Sequence, residues 1–539
     1  MSLVNEAESY VRRTYFFMGG KIISTVISMI GTIIVIRLLD PKDYGLLNVA
    51  FIIPFLLILA AELGLNNASI HYIAKYRKER NFSEIKNIIK LNILTKIVLS
   101  MFFSLLVFYF SDAIAYFVFD VKDPRLSLLI KIASVGIIAN TIFDAALSIF
   151  IGYERMEYVS MTLILQSTLR SVISPTLIIL GFGVIGPMIG YVFAALMATL
   201  FNLFIIFTRL YPYKIKSAEP FFSTFKEMIK YGLPLSIVSI ITGLRTQIFN
   251  FILTRKATLD EVGFFNITIA LSAIMLLFVR PISLTLFPAF SRYSWEKKEE
   301  RIFLIEYFHR SIKYSSLFLV PVSLMITIFS KEIIFLVYGP NYINAYKFVS
   351  IYFLTYILIS VGLLTIPNFL NGQGKTIIVF YGELIRLLAG ASLAYLLVIS
   401  IGGVGVVVGL LVGSIVGQIY FIIWVYRKYG KELLVNFYES MKIILTAGVS
   451  CFIALYTYSL IFEVLIFLQP VFSVFLGLLF SSLIYLISFL ILGAAMYIVS
   501  PEELIFLKSL FSKIKPVGVI AIFIMAIEQK LVERMHKKS

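Results

Sequence analysis

Cysteine, histidine and charged side chains are scarce in this sequence of 539 residues. It contains one cysteine, Cys451, and three histidines, which excludes an internal disulfide and a cysteine-rich zinc site. Charged residues make up 14% of the chain, against about 25% in soluble domains, while 60% of the residues are hydrophobic. A soluble domain of this composition would expose large apolar patches, which monomeric soluble proteins avoid. A soluble enzyme is therefore excluded, and so is a disordered chain.

The sequence is rich in long apolar runs. A helix needs about 20 predominantly apolar residues to cross the hydrocarbon core of a bilayer, and fourteen runs reach that length. The runs are too long, and alternate too little, for a β-barrel. We therefore expect an all-α integral membrane protein with about fourteen transmembrane helices. The predicted spans are 14–36, 44–64, 91–110, 126–151, 159–180, 184–207, 228–254, 262–290, 311–330, 348–370, 376–399, 404–426, 441–462 and 471–499.

The lysines and arginines are divided unevenly between the two sides of the membrane. An even number of spans places both termini on one side; the loops and termini of that side hold 29 basic residues, and the opposite loops hold 8. Because cytoplasmic loops are enriched in Lys and Arg, this bias predicts a plasma-membrane protein with both termini in the cytoplasm. The net charge of +17 then reflects topology and attraction to lipid headgroups, and we expect no nucleic-acid partner.

Two basic amphipathic segments are predicted to lie along the cytoplasmic membrane surface. One is a helix over 66–90, and the other is the tail 500–539, in which Val517–Ile527 is too short to span. The opposite loops are short, the longest being 111–125 and 330–347. They leave no room for an extracellular catalytic domain, so we do not expect an enzyme.

Three landmarks recur along the chain at a nearly constant offset. The run Asp43–Asn48 at the second span matches Glu261–Asn266 at the eighth, 218 residues later. Gly152 matches Gly372, and the glycines that begin at Gly183 before span six match those that begin at Gly403 before span twelve. The offset covers six helices, an even number, so the two halves share orientation and are parallel repeats, one of the plans of secondary transporters.

The repeats define the predicted domain organisation. We expect two six-helix lobes with a cytoplasmic linker between them, then two extra helices and an amphipathic tail. In such transporters the substrate binds between the lobes near the middle of the bilayer. The predicted boundaries are 1–210 for the first lobe, 211–227 for the linker, 228–430 for the second lobe, 431–499 for the extra helices and 500–539 for the tail.

Several stretches together resemble a known family. The run Arg37–Asn48 followed by Ala61–Leu65 resembles the signature of Wzx-type polysaccharide-biosynthesis flippases, in the multidrug/oligosaccharidyl-lipid/polysaccharide (MOP) exporter superfamily that includes MATE drug exporters and MurJ-type flippases. The resemblance covers about 8–430 and implies a fourteen-helix exporter that moves isoprenoid-linked oligosaccharide from the cytoplasmic to the outer leaflet. Supporting stretches are Phe150–Met156, Tyr231–Leu235, Leu286–Ser291, Tyr338–Tyr342 and Asn371–Gly374.

Basic side chains outnumber acidic ones inside the predicted spans. A charge near the centre of a membrane helix costs at least about 2.5–3.5 kcal/mol, so each one is a functional hypothesis. Arginine binds phosphate by paired hydrogen bonds, so the surplus favours an anionic substrate over a cationic drug. The predicted phosphate- and sugar-binding residues are Arg245, Arg280, Arg386, Lys21, Arg170 and Asn250, of which Arg245 is the strongest candidate because it lies midway along its span.

The alternatives for these residues are structural. Arg245 could instead pair with a carboxylate from a neighbouring helix, and Arg386 could neutralise Glu383, which lies three residues away on the same helix face. Lys96 and Lys131 are near enough to span ends that we expect their ammonium groups to reach the membrane surface.

Three carboxylates inside the spans are candidates for ion coupling: Asp144, Glu383 and Glu62. Asp144 is the most plausible, although a hydrogen bond to Asn140 or to a lysine is the structural alternative. We expect no cofactor, and coupling to a Na⁺ gradient, a H⁺ gradient or the membrane potential is left open.

The sequence thus predicts a flippase that moves polyprenyl-(pyro)phosphate-linked oligosaccharide by alternating access. Its expected partners are the lipid-linked oligosaccharide, membrane lipids and other polysaccharide-assembly proteins. A MurJ-like carrier of a peptidoglycan precursor and a MATE-like exporter of small molecules are the alternatives.

Overall fold

A computed structural model of the chain describes residues 3–213, 221–433, 436–465, 469–511, 525–530, 532 and 534, and within these ranges it contains helices and no β-strand. We number eighteen α-helices in chain order. They are α1 (Leu3–Leu38), α2 (Pro41–Glu62), α3 (Leu65–Lys78), α4 (Phe82–Ala113), α5 (Arg125–Gly152), α6 (Met156–Leu177), α7 (Ile185–Ile205), α8 (Phe221–Lys256), α9 (Leu259–Ser291), α10 (Lys298–Ile328), α11 (Ser330–Tyr338), α12 (Tyr346–Leu354), α13 (Thr365–Gly372), α14 (Thr376–Ile401), α15 (Val404–Tyr429), α16 (Phe437–Val464), α17 (Pro470–Ala495) and α18 (Pro501–Phe511).

Thirteen helical segments in the described ranges are long and apolar enough to cross a membrane. They correspond to every predicted span except the seventh, 228–254, which lies within the 36-residue helix α8. Polar residues such as Arg245 and Thr246 make α8 less apolar than its neighbours. The predicted all-α membrane fold is confirmed.

The predicted tenth span, 348–370, is not one helix. α12 ends at Leu354, a 3₁₀ segment covers Thr355–Val361, and α13 begins at Thr365. Gly362 lies at the break with φ +89°, a left-handed conformation that glycine adopts without steric cost. The tenth spanning segment is Pro340–Val361 in the structure, and the last residues of the predicted span belong to the separate helix α13, because apolar length does not reveal a backbone break.

The predicted surface helix over 66–90 is also divided. α3 ends at Lys78, and α4 begins at Phe82. The Asn81 side chain accepts a hydrogen bond from the Glu84 backbone N–H at 3.3 Å, so it caps the start of α4. The second half of the segment therefore belongs to a spanning helix. The other predicted surface stretch, Val517–Ile527, lies mostly outside the described residues.

The chain divides into two compact units. The first comprises Met1–Ala270 with Ala394–Val406, and the second comprises Leu271–Leu393 with Val407–Ser539. In the first unit, α1 packs along α6, and α4 packs along α5. In the second unit, α16 packs against α17 and α10. The lobe boundaries at 210 and 228 stay a prediction.

The duplicated motifs meet inside the first unit through their glycines. A Cβ atom on Gly45 would lie 1.8 Å from the Leu259 carbonyl oxygen, and one on Gly263 would lie 2.5 Å from the Pro41 carbonyl oxygen. Pro41 and Leu259 are separated by the same 218 residues as Gly45 and Gly263. The contact is therefore reciprocal, as expected when a two-fold axis relates the repeats. It is possible only because glycine has no side chain at either position.

Candidate functional site

α1 and α6 are held together by pairs of small residues. A Cβ on Gly20 would collide with Ser160, and a Cβ on Gly31 would lie 2.2 Å from the Ser171 hydroxyl. Ser160 donates to the Phe16 carbonyl and Ser171 donates to the Ile27 carbonyl, both at 2.9 Å. Small residues let membrane helices approach closely, so the backbones of α1 and α6 come together with their polar groups satisfied.

A polar cavity lies between α1, α2, α6 and α7, near the end of α1 that contains Val35. Its volume is about 80 Å³, which holds a few water molecules. Its twelve lining residues include hydroxyl and amide side chains and one charged side chain, that of Arg170. None of them is an aspartate or a glutamate. The polar groups that the cavity presents are therefore those that favour an anion.

The guanidinium of Arg170 lies against an aromatic ring in this cavity. Its Cζ atom is 5.2 Å from the centre of the Tyr191 ring, a cation–π contact that stabilises the charge without neutralising it. Phe51, which also lines the cavity, packs edge-on against the same ring at 4.7 Å. Arg170 has no ion pair with a carboxylate among the residues that the structure describes.

Ser174 lies one helical turn after Arg170 and lines the same cavity. Its residue is 2% exposed, and its hydroxyl oxygen has no hydrogen-bond partner within the described part of the chain. A buried hydroxyl without a partner is destabilising. A bound polar group or water in the cavity would satisfy Ser174.

A second polar region follows the interface between the antiparallel helices α4 and α5. Asn92 donates to the hydroxyls of Ser148, at 3.2 Å, and Ser69, at 2.8 Å. Because the two helices are antiparallel, Lys96, one turn after Asn92 on α4, lies at the same level as Asp144, one turn before Ser148 on α5. The Lys96 ammonium interacts electrostatically with the carboxylates of Asp144 and Glu62, and Asp144 also with Lys21.

Lys96 does not lie where the sequence predicts. Its residue is 1% exposed, so its ammonium does not reach the membrane surface, and that expectation was wrong. Lys131 is one-third exposed and pairs with Asp112 at 3.1 Å.

The surroundings of Asp144 also differ from the prediction. The Asn140 side chain donates to the Gly136 carbonyl at 2.8 Å. Asp144 therefore faces a buried cation, and it is not the isolated carboxylate that the sequence suggests.

The predicted residues of α8 have different surroundings. Arg245 is half-buried and lies eleven residues before the end of α8, within the predicted span 228–254. Asn250 is 2% exposed, and its side-chain oxygen accepts a hydrogen bond from the amide of Asn266 at 2.8 Å. The Asn250 amide therefore forms a hydrogen bond between α8 and α9.

The other predicted residues of the first unit lie on α1 and α2. Lys21 is exposed on α1, and Glu62 is the half-buried last residue of α2. In the second unit, the side chains of Arg280 and the adjacent Pro281 lie outside the described residues.

Arg386 and Glu383 form an ion pair within α14. Their nitrogen and oxygen atoms are 2.7 Å apart, and the side chains are 9% and 12% exposed. Of the two interpretations that the sequence leaves open, the structure shows the paired one. The charge of Arg386 is thus compensated by its own helix.

The described residues contain no group of three or more His, Cys, Asp or Glu side chains that could hold a metal ion. By residue type, Arg170 offers a cationic group that could bind an anion, and Lys96 and Asp144 offer an ammonium and a carboxyl group that could exchange a proton.

Sequence reasoning missed Ser174 and Lys96 as members of these regions, although a signal was present. Polar residues recur every four positions on α4, at Asn92, Lys96 and Ser100, and Ser174 follows Arg170 by the same spacing. Such spacing places side chains on one helix face and marks a polar stripe on an apolar helix.

Comparisons with known proteins agree with this architecture. A family model described as "Polysaccharide biosynthesis protein" matches residues 10–294, more than half of the chain. An uncharacterized membrane protein of Methanocaldococcus jannaschii is 24% identical over 412 residues, which are 72% of this chain and 77% of that protein.

Two solved structures share the fold. The lipid II flippase MurJ in an inward closed conformation matches with a TM-score of 0.71 and 15% identity, covering 88% of this chain and 98% of that one. An inward-facing multidrug resistance MATE transporter of the MOP superfamily matches with a TM-score of 0.65 and 18% identity, covering 76% and 95%.

Proposed function

Since the chain belongs to the polysaccharide biosynthesis protein family, we propose that this multi-pass membrane protein is a flippase for polyprenyl-(pyro)phosphate-linked oligosaccharide. It would move the phosphate and sugar headgroup from the cytoplasmic to the outer leaflet of the cell membrane, with both chain termini in the cytoplasm. Proteins that share its fold include a lipid II flippase and a multidrug transporter, which agrees with transport and leaves the substrate to be argued from the residues.

The surplus of positive charge inside the first unit is the observation on which our choice of substrate rests. Lys21, Lys96, Arg170 and Arg245 lie in apolar helices there, against Asp144 and Glu62. A carrier of cationic drugs would require the opposite balance, because a net positive charge repels such a substrate. A phosphate-linked lipid matches the observed sign, and its polyprenyl chain would stay in the bilayer while the headgroup crosses.

The test is the sidedness of lipid-linked oligosaccharide in cells that lack this protein. Accumulation in the cytoplasmic leaflet, relieved by the wild-type chain, is the expected result. Arg245→Ala is expected to relieve it poorly, whereas Arg245→Lys, which keeps the charge, should relieve it in part. No accumulation in a strain without a second flippase would overturn the proposal and favour a small-molecule exporter.

Asp144 is our proposed coupling residue, because the buried Lys96 and the nearby Glu62 give it charged neighbours within one unit. Glu383 is the weaker candidate because it is paired with Arg386. Transport by proteoliposomes under an imposed pH or sodium gradient is expected to lose its gradient dependence in Asp144→Asn. Equal gradient dependence in the variant and the wild type would exclude Asp144.

A further inference from the structure

We propose that the cavity between α1, α2, α6 and α7 is a binding site for a phosphoryl group, with Arg170 as its cationic ligand. The inference rests on the proposed function in one respect: the phosphoryl group that it would bind during transport is that of the lipid-linked substrate. The binding itself is a property of the cavity and can be measured without transport.

The charge of the cavity is the first support. Its one charged lining residue is Arg170, and none of its twelve lining residues is acidic. The contact with the Tyr191 ring, at 5.2 Å, fixes the guanidinium while leaving its N–H donors available for an oxyanion. A buried arginine compensated by a carboxylate would not offer its charge in this way.

The second support is the buried hydroxyl of Ser174, which has no hydrogen-bond partner in the described ranges although its residue is 2% exposed. It lies one turn from Arg170 on α6 and lines the same space. A phosphoryl oxygen between the two side chains would accept from both and would remove the cost of the unpaired donor.

The size of the cavity limits what it can hold. About 80 Å³ accommodates a few water molecules or a phosphoryl group, but not a sugar ring in addition. A Cβ on Gly190 would lie 2.4 Å from the Ser174 hydroxyl, and one on Gly31 would lie 2.2 Å from that of Ser171. The two glycines therefore keep α7 and α1 close to α6, so the sugar of a bound substrate would extend outside the cavity.

The experiment measures binding by the full-length protein purified in detergent. Inorganic phosphate and geranyl phosphate are titrated and followed by calorimetry, with phosphatidylglycerol micelles as the arm that represents a bulk lipid headgroup. Arg170→Gln is expected to weaken geranyl phosphate binding about tenfold to a hundredfold, the usual range for loss of a charge-assisted hydrogen bond. Ser174→Ala is expected to weaken it about threefold to tenfold.

Arg37→Gln is the matched control, because Arg37 is an exposed arginine two residues after Val35 on α1 and does not line the cavity. Binding in this variant is expected to equal that of the wild type. Equal losses in Arg37→Gln and Arg170→Gln would show general electrostatic attraction and overturn the site. A melting temperature of Arg170→Gln close to that of the wild type establishes that the variant is folded.

The arms separate failure of the site from failure of the proposed function. Arg170-dependent binding of geranyl phosphate in a protein that does not flip lipid would support the site and reject the flippase. Flipping that continues with unchanged geranyl phosphate affinity in Arg170→Gln would reject the site and retain the flippase. Stronger binding of phosphatidylglycerol than of geranyl phosphate would identify a bulk-lipid site and overturn its assignment to the substrate.

Discussion

Arg170 and Arg386 are the same residue type in two apolar helices of the two units, and their surroundings give them different roles. Arg386 is paired at 2.7 Å with Glu383 on its own helix, and both side chains are almost fully buried. Arg170 lies against an aromatic ring and lines a cavity that has no acidic residue among its described lining residues. A charge inside a membrane helix is therefore available to an anion only where no neighbouring residue already compensates it.

Removal of Glu383 should have the largest effect. Glu383→Leu removes the carboxylate that is paired with the buried Arg386, and removal of one partner of a buried ion pair costs about 3–5 kcal/mol in proteins where this has been measured. We expect a large drop in the melting temperature of the purified protein, followed by tryptophan fluorescence, and recovery of most of it in the double variant Glu383→Leu with Arg386→Leu. Arg170→Leu should melt close to the wild type; an equally large drop there would remove the distinction between the two arginines.

A close backbone contact beside Arg386 should be the next most sensitive feature. A Cβ on Gly413 would lie 2.5 Å from the Arg386 carbonyl oxygen and 2.6 Å from the Gly390 Cα, and backbone atoms cannot move aside. Gly413→Ala is expected to destabilise the protein by about 1–3 kcal/mol. Gly448→Ala is the control, since no atom lies within 4 Å of its added Cβ. A Gly413→Ala variant as stable as the control would show that α14 and α15 can separate freely.

The aromatic rings beside the two arginines should also differ in what they affect. Tyr191→Leu removes the ring that holds Arg170, and a cation–π contact contributes about 0.5–2 kcal/mol, so geranyl phosphate binding should weaken about twofold to thirtyfold. The centre of the Phe421 ring lies 5.9 Å from the Arg386 Cζ atom, and Phe421 is fully buried. Phe421→Leu should lower the melting temperature and leave binding unchanged. If both variants affect binding equally, the two regions are not functionally distinct.

The smallest expected effect concerns an ion pair outside the spans. Burial raises the pKa of the Glu503 carboxyl, but hydrogen bonds from Lys313, at 2.8 and 2.9 Å, and from Ser500 outweigh this and hold it below its ordinary value. The pair therefore stabilises the docking of α18 above about pH 4.3, the ordinary value, and this contribution is lost as the pH falls through the lowered pKa.

The contribution of such a partly exposed pair is at most about 1 kcal/mol. Amide hydrogen exchange in Pro501–Phe511, corrected for the intrinsic rate, should increase between pH 6 and pH 3. In Glu503→Gln, exchange should be faster than in the wild type at pH 6 and should not respond to this change. A wild-type helix that is equally protected at both pH values would show that the ion pair does not hold α18.

Much of the fold follows from composition and periodicity. The lengths of the apolar runs predict the spanning helices, because a bilayer sets a minimum length for each helix. The break at Gly362 was not predictable, because glycine inside an apolar run fits both a continuous and a broken helix. The reciprocal contact of Gly45 and Gly263 was partly predictable: the repeat identifies the two glycines as equivalent, but not as neighbours.

The sites were less predictable than the helices. Sequence spacing identifies Glu383 and Arg386 as possible partners, because residues three apart share a helix face. It also selects Arg170 and Asp144 as charges at membrane depth. The position of Lys96 at the same level as Asp144 depends on the register of two helices. The Arg170 cavity depends on the packing of four helices.

The number of spans, the side on which basic loops accumulate and the surplus of arginine are therefore contained in the amino-acid sequence, since each depends on local composition and on the thickness of the membrane. The pairing of Arg386 with Glu383 was among the possibilities that the sequence offers, because the two residues lie three apart on one helix. The cavity at Arg170 is decided by the packing of helices, because the groups around the guanidinium come largely from other parts of the chain. Its ring partner Tyr191 lies on α7, the packed glycines lie on α7 and α1, and only Ser174 lies on the same helix.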